Sequence, residues 1–303
     1  MGTNLVNAER RHIGRGGLAC GPLAFGCWRF THGDVGYARA LVSHAVDQGL
    51  DLVDTADIYG IGFGGRGFGA AEELLGQVLA SSPGLRDRIV LATKGGIQPG
   101  VPYDSSGPAL QAACEASLKR LGVDDVDLYQ VHRPDLFAHP EEVAKTLLRL
   151  RSDGKVREIG ISNYTASEHD ALVHFLGPRA LATSQPEFSA ADTSPMRNGI
   201  LAACLRDGVT PLAWSPLAGG RLATGEHVRA ELLTVLDELA EREQVSRSAV
   251  ALAFLLAHPS HPVAIIGTQR PERIDEAITA LSVSLDHTDC YRILEASEGE
   301  PLP

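Results

Sequence analysis

Arg88-Ile89-Val90-Leu91-Ala92-Thr93, closed by Lys94 and Gly95, runs without the apolar–polar alternation of a strand that has one wet face. Such a run fits a strand buried on both faces, as in a parallel sheet covered by helices. Pro262-Val263-Ala264-Ile265-Ile266-Gly267 reads the same way. Working outward, comparable runs fall near 22–28, 51–56, 89–94, 127–132, 157–162, 181–187, 210–216 and 262–267. Helical-period segments separate them, near 35–49, 69–81, 107–121, 140–153, 166–176, 196–207, 229–243 and 271–281. Eight strands, each followed by a helix, is the count of a (β/α)8 TIM barrel of class α/β. Gly122, Gly154, Gly177 and Gly208 stand just past helix ends, where a left-handed cap is wanted. Pro108, Pro140 and Pro271 stand near helix starts. No linker or longer repeat interrupts the pattern, so the expectation is a single domain over 1–303. Residues 285–303 read as a short tail, frayed over Ser297 to Pro301, and 60–69 and 217–228 as the longest irregular segments.

Composition agrees with a barrel enzyme. The chain has 303 residues, 27 basic against 38 acidic, for a net charge of −11. It is 44% hydrophobic and 21% charged, which supports a packed core and excludes a disordered chain. The acidic balance argues against a nucleic-acid partner, which needs clustered Lys and Arg. No run of 18 apolar residues is present, so no membrane span is expected. Arg10, Arg11 and Arg15 ahead of the mildly apolar stretch from Leu18 to Trp28 imitate a signal peptide. Gly21, Pro22 and Gly26 break that stretch, and no small-residue cleavage site follows. Cys20, Cys27, Cys114, Cys204 and Cys290 are odd in number and form no CxxC, which reads as reduced thiols of a cytoplasmic protein.

Gly60-Ile61-Gly62-Phe63-Gly64-Gly65 satisfies GxGxxG between a strand and a helix. A dinucleotide fingerprint also needs an acidic residue at the end of the next strand, about 20 positions on, to hold the ribose. The next strand here ends in Thr93-Lys94-Gly95-Gly96, so the better reading is a mobile loop beside an active site.

In a TIM barrel the active site lies at the C-terminal ends of the strands. Those ends carry Asp54 and Tyr59 after the second strand, Lys94 after the third and His132 after the fourth. Each has a plainer reading alone: a cap, an amphipathic wall, a solvated tip, a satisfied core histidine. Three successive strands delivering ionisable groups to one rim is harder to assign to chance. A phenol with a reference pKa of about 10 is a weak acid near neutrality. A neighbouring ammonium favours its ionised form, and a carboxylate behind the ammonium keeps that charge in place. Asp54, Lys94 and Tyr59 therefore make a relay that tunes a general acid, and His132 is suited to orient a carbonyl oxygen. The pocket holds no reductant, so a cofactor must supply the hydride.

Asp54-Thr55-Ala56-Asp57-Ile58-Tyr59-Gly60, Ala92-Thr93-Lys94-Gly95, Gln130-Val131-His132-Arg133-Pro134 and Gly160-Ile161-Ser162-Asn163-Tyr164 together resemble the aldo-keto reductase family, in register over roughly 16–283. The resemblance implies a barrel that binds NADP(H), with NAD(H) second, and reduces a small carbonyl substrate. It makes Tyr59 the proton donor, Lys94 and Asp54 its tuning pair, and His132 the substrate-orienting group. By the same resemblance Ser162, Asn163 and Gln185 hold the nicotinamide carboxamide. Ser215, Leu217, Gly219 and Arg221, within Trp214-Ser215-Pro216-Leu217-Ala218-Gly219-Gly220-Arg221, wrap the pyrophosphate. Gly267, Thr268, Arg273 and Glu276 form the adenosine 2′-phosphate segment, with Arg273 and Thr268 on the phosphate and Glu276 on the adenine.

Three positions depart from the family pattern. Phe188 stands where a nicotinamide-stacking tyrosine is common, Gly267 where a lysine is common, and Ala277 where an asparagine is common. The short tail leaves the pocket open, with Trp28, Phe63 and Phe68 as candidate apolar walls. The pattern is closer to bacterial oxidoreductase members than to the steroid-handling ones, and a monomer or weak homo-oligomer is expected. His258-Pro259-Ser260-His261 reads as a polar loop, and His169 and His174, five apart on a helix, share no face, so no metal is expected. Two other readings stand beside the reductase. A Schiff-base aldolase would use Lys94 as a neutral nucleophile, and a cofactor-sensing regulatory subunit would keep the barrel without turnover.

Overall fold

The computed structural model describes residues 2–15, 17–31 and 33–302. Met1 and Pro303, the ends of the expected domain, lie outside the described residues, as do Gly16 and His32. A hairpin of β1 (Arg11–Ile13) and β2 (Leu18–Cys20) comes first. The barrel strands follow in chain order: β3 (Leu23–Gly26), β4 (Leu52–Asp54) and β5 (Val90–Gly95). A second hairpin, β6 (Ile97–Gln98) with β7 (Val101–Tyr103), interrupts the alternation. The barrel then continues with β8 (Val126–Val131), β9 (Val156–Ser162), β10 (Leu181–Gln185), β11 (Thr210–Ala213) and β12 (Val263–Ile266). All eight pair in parallel, and β12 returns to β3 to close the cylinder. Closure removes the edge strands, and every one of the eight expected strands is present.

Two layers of apolar side chains explain the uniform burial of these strands. Leu52, Val90, Ala92, Leu128, Leu212 and Val263 point inward and pack on Ile13, Leu18 and Cys20 of the β1–β2 hairpin, which forms the barrel floor. Phe25, Val53, Leu91, Tyr129 and Ile159 point outward against the helices. Those helices are α1 (Val35–Asp47), α2 (Ala70–Ala80), α3 (Gly107–Leu121), α4 (Pro140–Ser152) and α5 (Ala166–Leu176). Then come α6 (Ser194–Arg197), α7 (Ile200–Asp207), α8 (Arg221–Thr224), α9 (Ala230–Glu243), α10 (Arg247–Leu256), α11 (Pro271–Ile278) and α12 (His287–Glu298). Gly122 and Gly208 cap α3 and α7 in left-handed conformation, with φ of 68° and 67°.

Several expectations need correction. The helix expected over 196–207 is two, broken at Gly199, whose φ of +89° a continuous helix excludes. The helix α10 had no counterpart in the sequence reading. Ser248 through Leu256 are all buried, so it shows no polar face and no 3.6-residue period. The expected tail is the helix α12. Asp286 and Asp289 cap it reciprocally, and Arg242 grips Asp289 through two hydrogen bonds of 2.9 Å. Of the segment expected to fray, Ser297 and Glu298 belong to the last turn of α12, with Glu298 held by Arg197 at 3.0 Å, and Gly299 to Pro301 lie beyond it.

Candidate active site

At the upper end of the barrel the inward-facing layer turns polar. Lys94, fully buried at the end of β5, donates to Asp54 Oδ2 at 2.7 Å, to the Thr55 carbonyl at 2.8 Å and to the Tyr59 hydroxyl at 3.1 Å. That uses all three ammonium protons. Gln130 of β8 and Gln185 of β10 each donate to the other Asp54 oxygen, at 3.3 and 3.2 Å. Thr183 donates to Gln130 Oε1, which leaves that amide's nitrogen for Asp54. Gly160 of β9 keeps the layer open, because a Cβ there would lie 2.2 Å from Thr183 Oγ1. Burial works against the Lys94 ammonium, but Asp54 and Tyr59 outweigh it and its pKa rises. Burial also raises the Tyr59 phenol, with Lys94 opposing, so the hydroxyl keeps its proton near neutrality. The ammonium alone would favour the phenolate, but in the folded protein desolvation is the larger effect.

His132 stands edge-on to the Tyr59 ring, with centroids 5.7 Å apart. Burial, then the positive charges of Lys94 and Arg133, hold its pKa well below the usual histidine value, so it is a neutral imidazole. Its Nδ1 is buried without a hydrogen-bond partner among the described residues. From Tyr59 and His132 a cleft of about 770 Å³ runs past Ser162, Asn163, Trp214 and Gly219 to Thr268, Arg273 and Glu276. That is the size of a site for a cofactor with a small substrate.

A model described as the Aldo/keto reductase family matches residues 22–298. The chain belongs to the aldo/keto reductase family. It is 48% identical to a 6-dehydroglucose reductase of Novosphingobium aromaticivorans over 97% of both chains. A 6-dehydroglucose reductase of Agrobacterium fabrum is 35% identical, with 94% of this chain and 97% of that one covered. Among solved structures, the thermostable aldo-keto reductase Tm1743 in complex with the inhibitor epalrestat superposes with a TM-score of 0.81 at 25% identity, covering 95% of this chain and 99% of that one. Membership makes the protein an NAD(P)H-dependent oxidoreductase on a TIM barrel. Among the described residues, no helix is long and apolar enough to cross a membrane.

The residues expected from the resemblance divide into those that meet in the aldo/keto reductase cleft and those that do not. Asp54, Tyr59, His132, Ser162, Asn163, Gln185, Ser215, Leu217, Gly219, Gly267, Thr268, Arg273, Glu276 and Trp28 all line it, with Lys94 directly beneath Tyr59. Asn163 is fixed by donating to the His132 carbonyl at 3.1 Å and accepting from Trp214 Nε1 at 2.9 Å. Phe188 is placed differently. It is fully buried with its ring toward His258, and Trp214 forms that wall of the cleft instead. Phe68 packs on the Arg120 guanidinium, away from the cleft. Phe63 stacks edge-on against Trp28 at 4.8 Å and stands behind the lining rather than in it. Arg221 is exposed and donates to the Ala218 carbonyl, also outside the lining.

Sequence reading missed five contributors. Gln130 bonds Asp54, a role recognisable only once β8 is known to adjoin β5. Arg133, next to His132, lines the cleft half-buried. Ser246, Arg247 and Ser248, at the start of the unrecognised α10, line the Arg273 end. The Gly60–Gly69 loop borders the mouth through Gly60, Ile61 and Gly62. Fully buried His169 meets Asp170 and Asp207 away from the cleft, where Arg206 bridges both carboxylates at 2.5 and 2.7 Å.

A Schiff base requires a neutral lysine with a free nitrogen lone pair, and Lys94 is held protonated with every proton bonded. Borohydride added with an aldehyde substrate is therefore expected to leave the Lys94 peptide unmodified in a mass spectrum. A reduced adduct on Lys94 would contradict this electrostatic picture.

Proposed function

We propose that the protein reduces an aldehyde or ketone to the alcohol with NADPH, Tyr59 delivering the proton. The observation that carries this reading is the chain Asp54–Lys94–Tyr59, 2.7 and 3.1 Å per link, at the head of a cleft that ends at Arg273. When bound, the nicotinamide supplies the hydride. His132, uncharged, presents an N–H to the carbonyl oxygen and sets its direction. The Tyr59 hydroxyl is the acid beside it, and the Lys94 ammonium stabilises the phenolate left behind. Asp54 keeps that ammonium charged and in place.

Ser162, Asn163 and Gln185 would hold the carboxamide, and Trp214 would provide the stacking face assigned above to Phe188. Ser215, Leu217 and the small residues Gly219 and Gly220 would lie along the pyrophosphate. Both glycines have positive φ, 70° and 102°, and the lack of a side chain lets backbone approach the phosphates. Arg273 lines the far end exposed and without an ion pair among the described residues, beside Thr268 at the start of α11. A planar cation there suits a phosphate, which favours NADPH over NADH.

For the substrate, the 48% identical relative bears the name of a 6-dehydroglucose reductase. We take the class to be a hydroxylated aldehyde of that kind. Arg133 has no hydrogen-bond partner among the described residues and offers donors to hydroxyl oxygens beside the carbonyl site. The complete proton-transfer cluster favours turnover over cofactor sensing alone, and the protonated Lys94 disfavours aldol chemistry.

Tyr59→Phe is expected to lower aldehyde reduction at least about 10²-fold while NADPH titration by fluorescence stays nearly unchanged; retained turnover removes Tyr59 from its role. Arg273→Ala is expected to weaken NADPH far more than NADH, and equal losses would refute the phosphate contact. Arg133→Leu should raise KM for a hydroxylated aldehyde about tenfold while sparing a plain aliphatic aldehyde, a loss of one charge-assisted hydrogen bond.

A further inference from the structure

Beneath the Tyr59 turn lies a second buried polar cluster that the proposed reaction does not use. Asp57, two residues before Tyr59, is 1% exposed, and among the described residues neither carboxyl oxygen has a well-formed hydrogen bond. Its backbone is tied down on both sides. The Asp57 amide donates to the Lys94 carbonyl at 3.1 Å, and its carbonyl accepts from the Gly69 amide at 2.7 Å. The Tyr59 carbonyl accepts from Ala71 at 3.2 Å, so the turn is bolted to the start of α2. From α2 the fully buried Glu72 faces the same space, held by Arg120 of α3 at 2.6 Å and by the hydroxyl of Thr93, the residue before Lys94.

Two carboxyl groups thus share one arginine, and Glu72 holds it. Burial first, then Glu72, push the Asp57 carboxyl up to about 8. Arg120, the nearby but poorly aligned Ile58 amide and Lys94 oppose that shift without overcoming it. Tyr129 of β8 also faces the cluster, as a neutral phenol. The groups that bear on Asp57 are therefore Glu72, Arg120, Lys94 and Tyr129, from four different elements. At neutral pH the carboxyl is mostly uncharged and fits a site with no bonded cation for it.

We propose that Asp57 is a positioning residue for proton delivery: its uncharged carboxyl lets the Tyr59 turn close onto Lys94, and its ionisation opposite Glu72 displaces that turn. The inference rests on the reading of Tyr59 as the acid. A carboxylate forming there meets Glu72 across a low-dielectric gap, where like charges repel strongly. The strain falls on the segment from Ala56 to Gly60 and so on the 3.1 Å contact between Lys94 and Tyr59. Arg273 and the far end of the cleft are not involved.

The test is the pH dependence of aldehyde reduction in the wild type and in Asp57→Asn, which keeps the shape and removes the charge. In the wild type, kcat should fall about tenfold from pH 7 to pH 9, with KM for NADPH steady. In Asp57→Asn that limb should be gone, leaving only the decline at higher pH where a tyrosine ionises. Superimposable profiles would overturn the proposal, and so would a uniform drop at every pH. Infrared titration reads the group without turnover: a protonated-carboxyl stretch should disappear near pH 8 in the wild type and be missing from Asp57→Asn. If no aldehyde is reduced at any pH, the functional reading fails; if the band does not titrate near pH 8, the assignment of Asp57 fails.

Discussion

The pair formed by Lys94 and Asp54 lies where water does not reach, and two charges taken out of water are costly unless every other bonding direction is filled. The barrel fills them. Asp54 receives Lys94 on one oxygen and two glutamine amides on the other, while the ammonium also reaches Thr55 and Tyr59. These partners arrive from β4, β5, β8 and β10, so the arrangement exists only when strands distant in sequence lie side by side. Thr183 and Gly160 then follow as necessities, one to orient Gln130 and the other to leave it room. The upper barrel is polar because this pair must be satisfied there, and the lower barrel is free to be hydrocarbon.

The same pair acts, beside burial, on the ionisable groups around it. An ammonium that cannot lose its proton is useless as a nucleophile but well placed to stabilise a phenolate. Its field also helps keep His132 neutral, so that residue offers an N–H without carrying a proton away. Tyr59 itself retains its proton because burial outweighs the ammonium. Burial and the ammonium together thus leave a protonated phenol, a neutral imidazole and a fixed positive charge side by side, as the proposed reaction requires.

The sequence made the strands legible because double burial writes continuous apolar runs, and the site legible because reactive residues ended three of them in succession. Failures came where burial removed the pattern being read. α10 is enclosed on all sides and shows no amphipathic period. α12 relies on Arg242 and Arg197, contacts made across more than 40 positions that no local window contains. Phe188 and Trp214 are adjacent through backbone bonds between the ends of β10 and β11, and only the structure tells which ring turns inward. Gln130 and Arg133 flank His132 in sequence, yet their orientation depends on neighbours in β4 and in the cleft wall.

The β1–β2 hairpin gives the barrel a sealed base. Ile13, Leu18 and Cys20 fill its lower end against Leu52, Leu128 and Leu212. With Tyr59 as the proposed acid, the apolar floor directs proton replacement to the open side, through the mouth by which substrate would enter and product depart. Recharging the acid and clearing the pocket are then traffic through one doorway, bordered by Trp28, Ile61 and the clasp of Arg29 onto the Gly219 carbonyl at 2.9 Å.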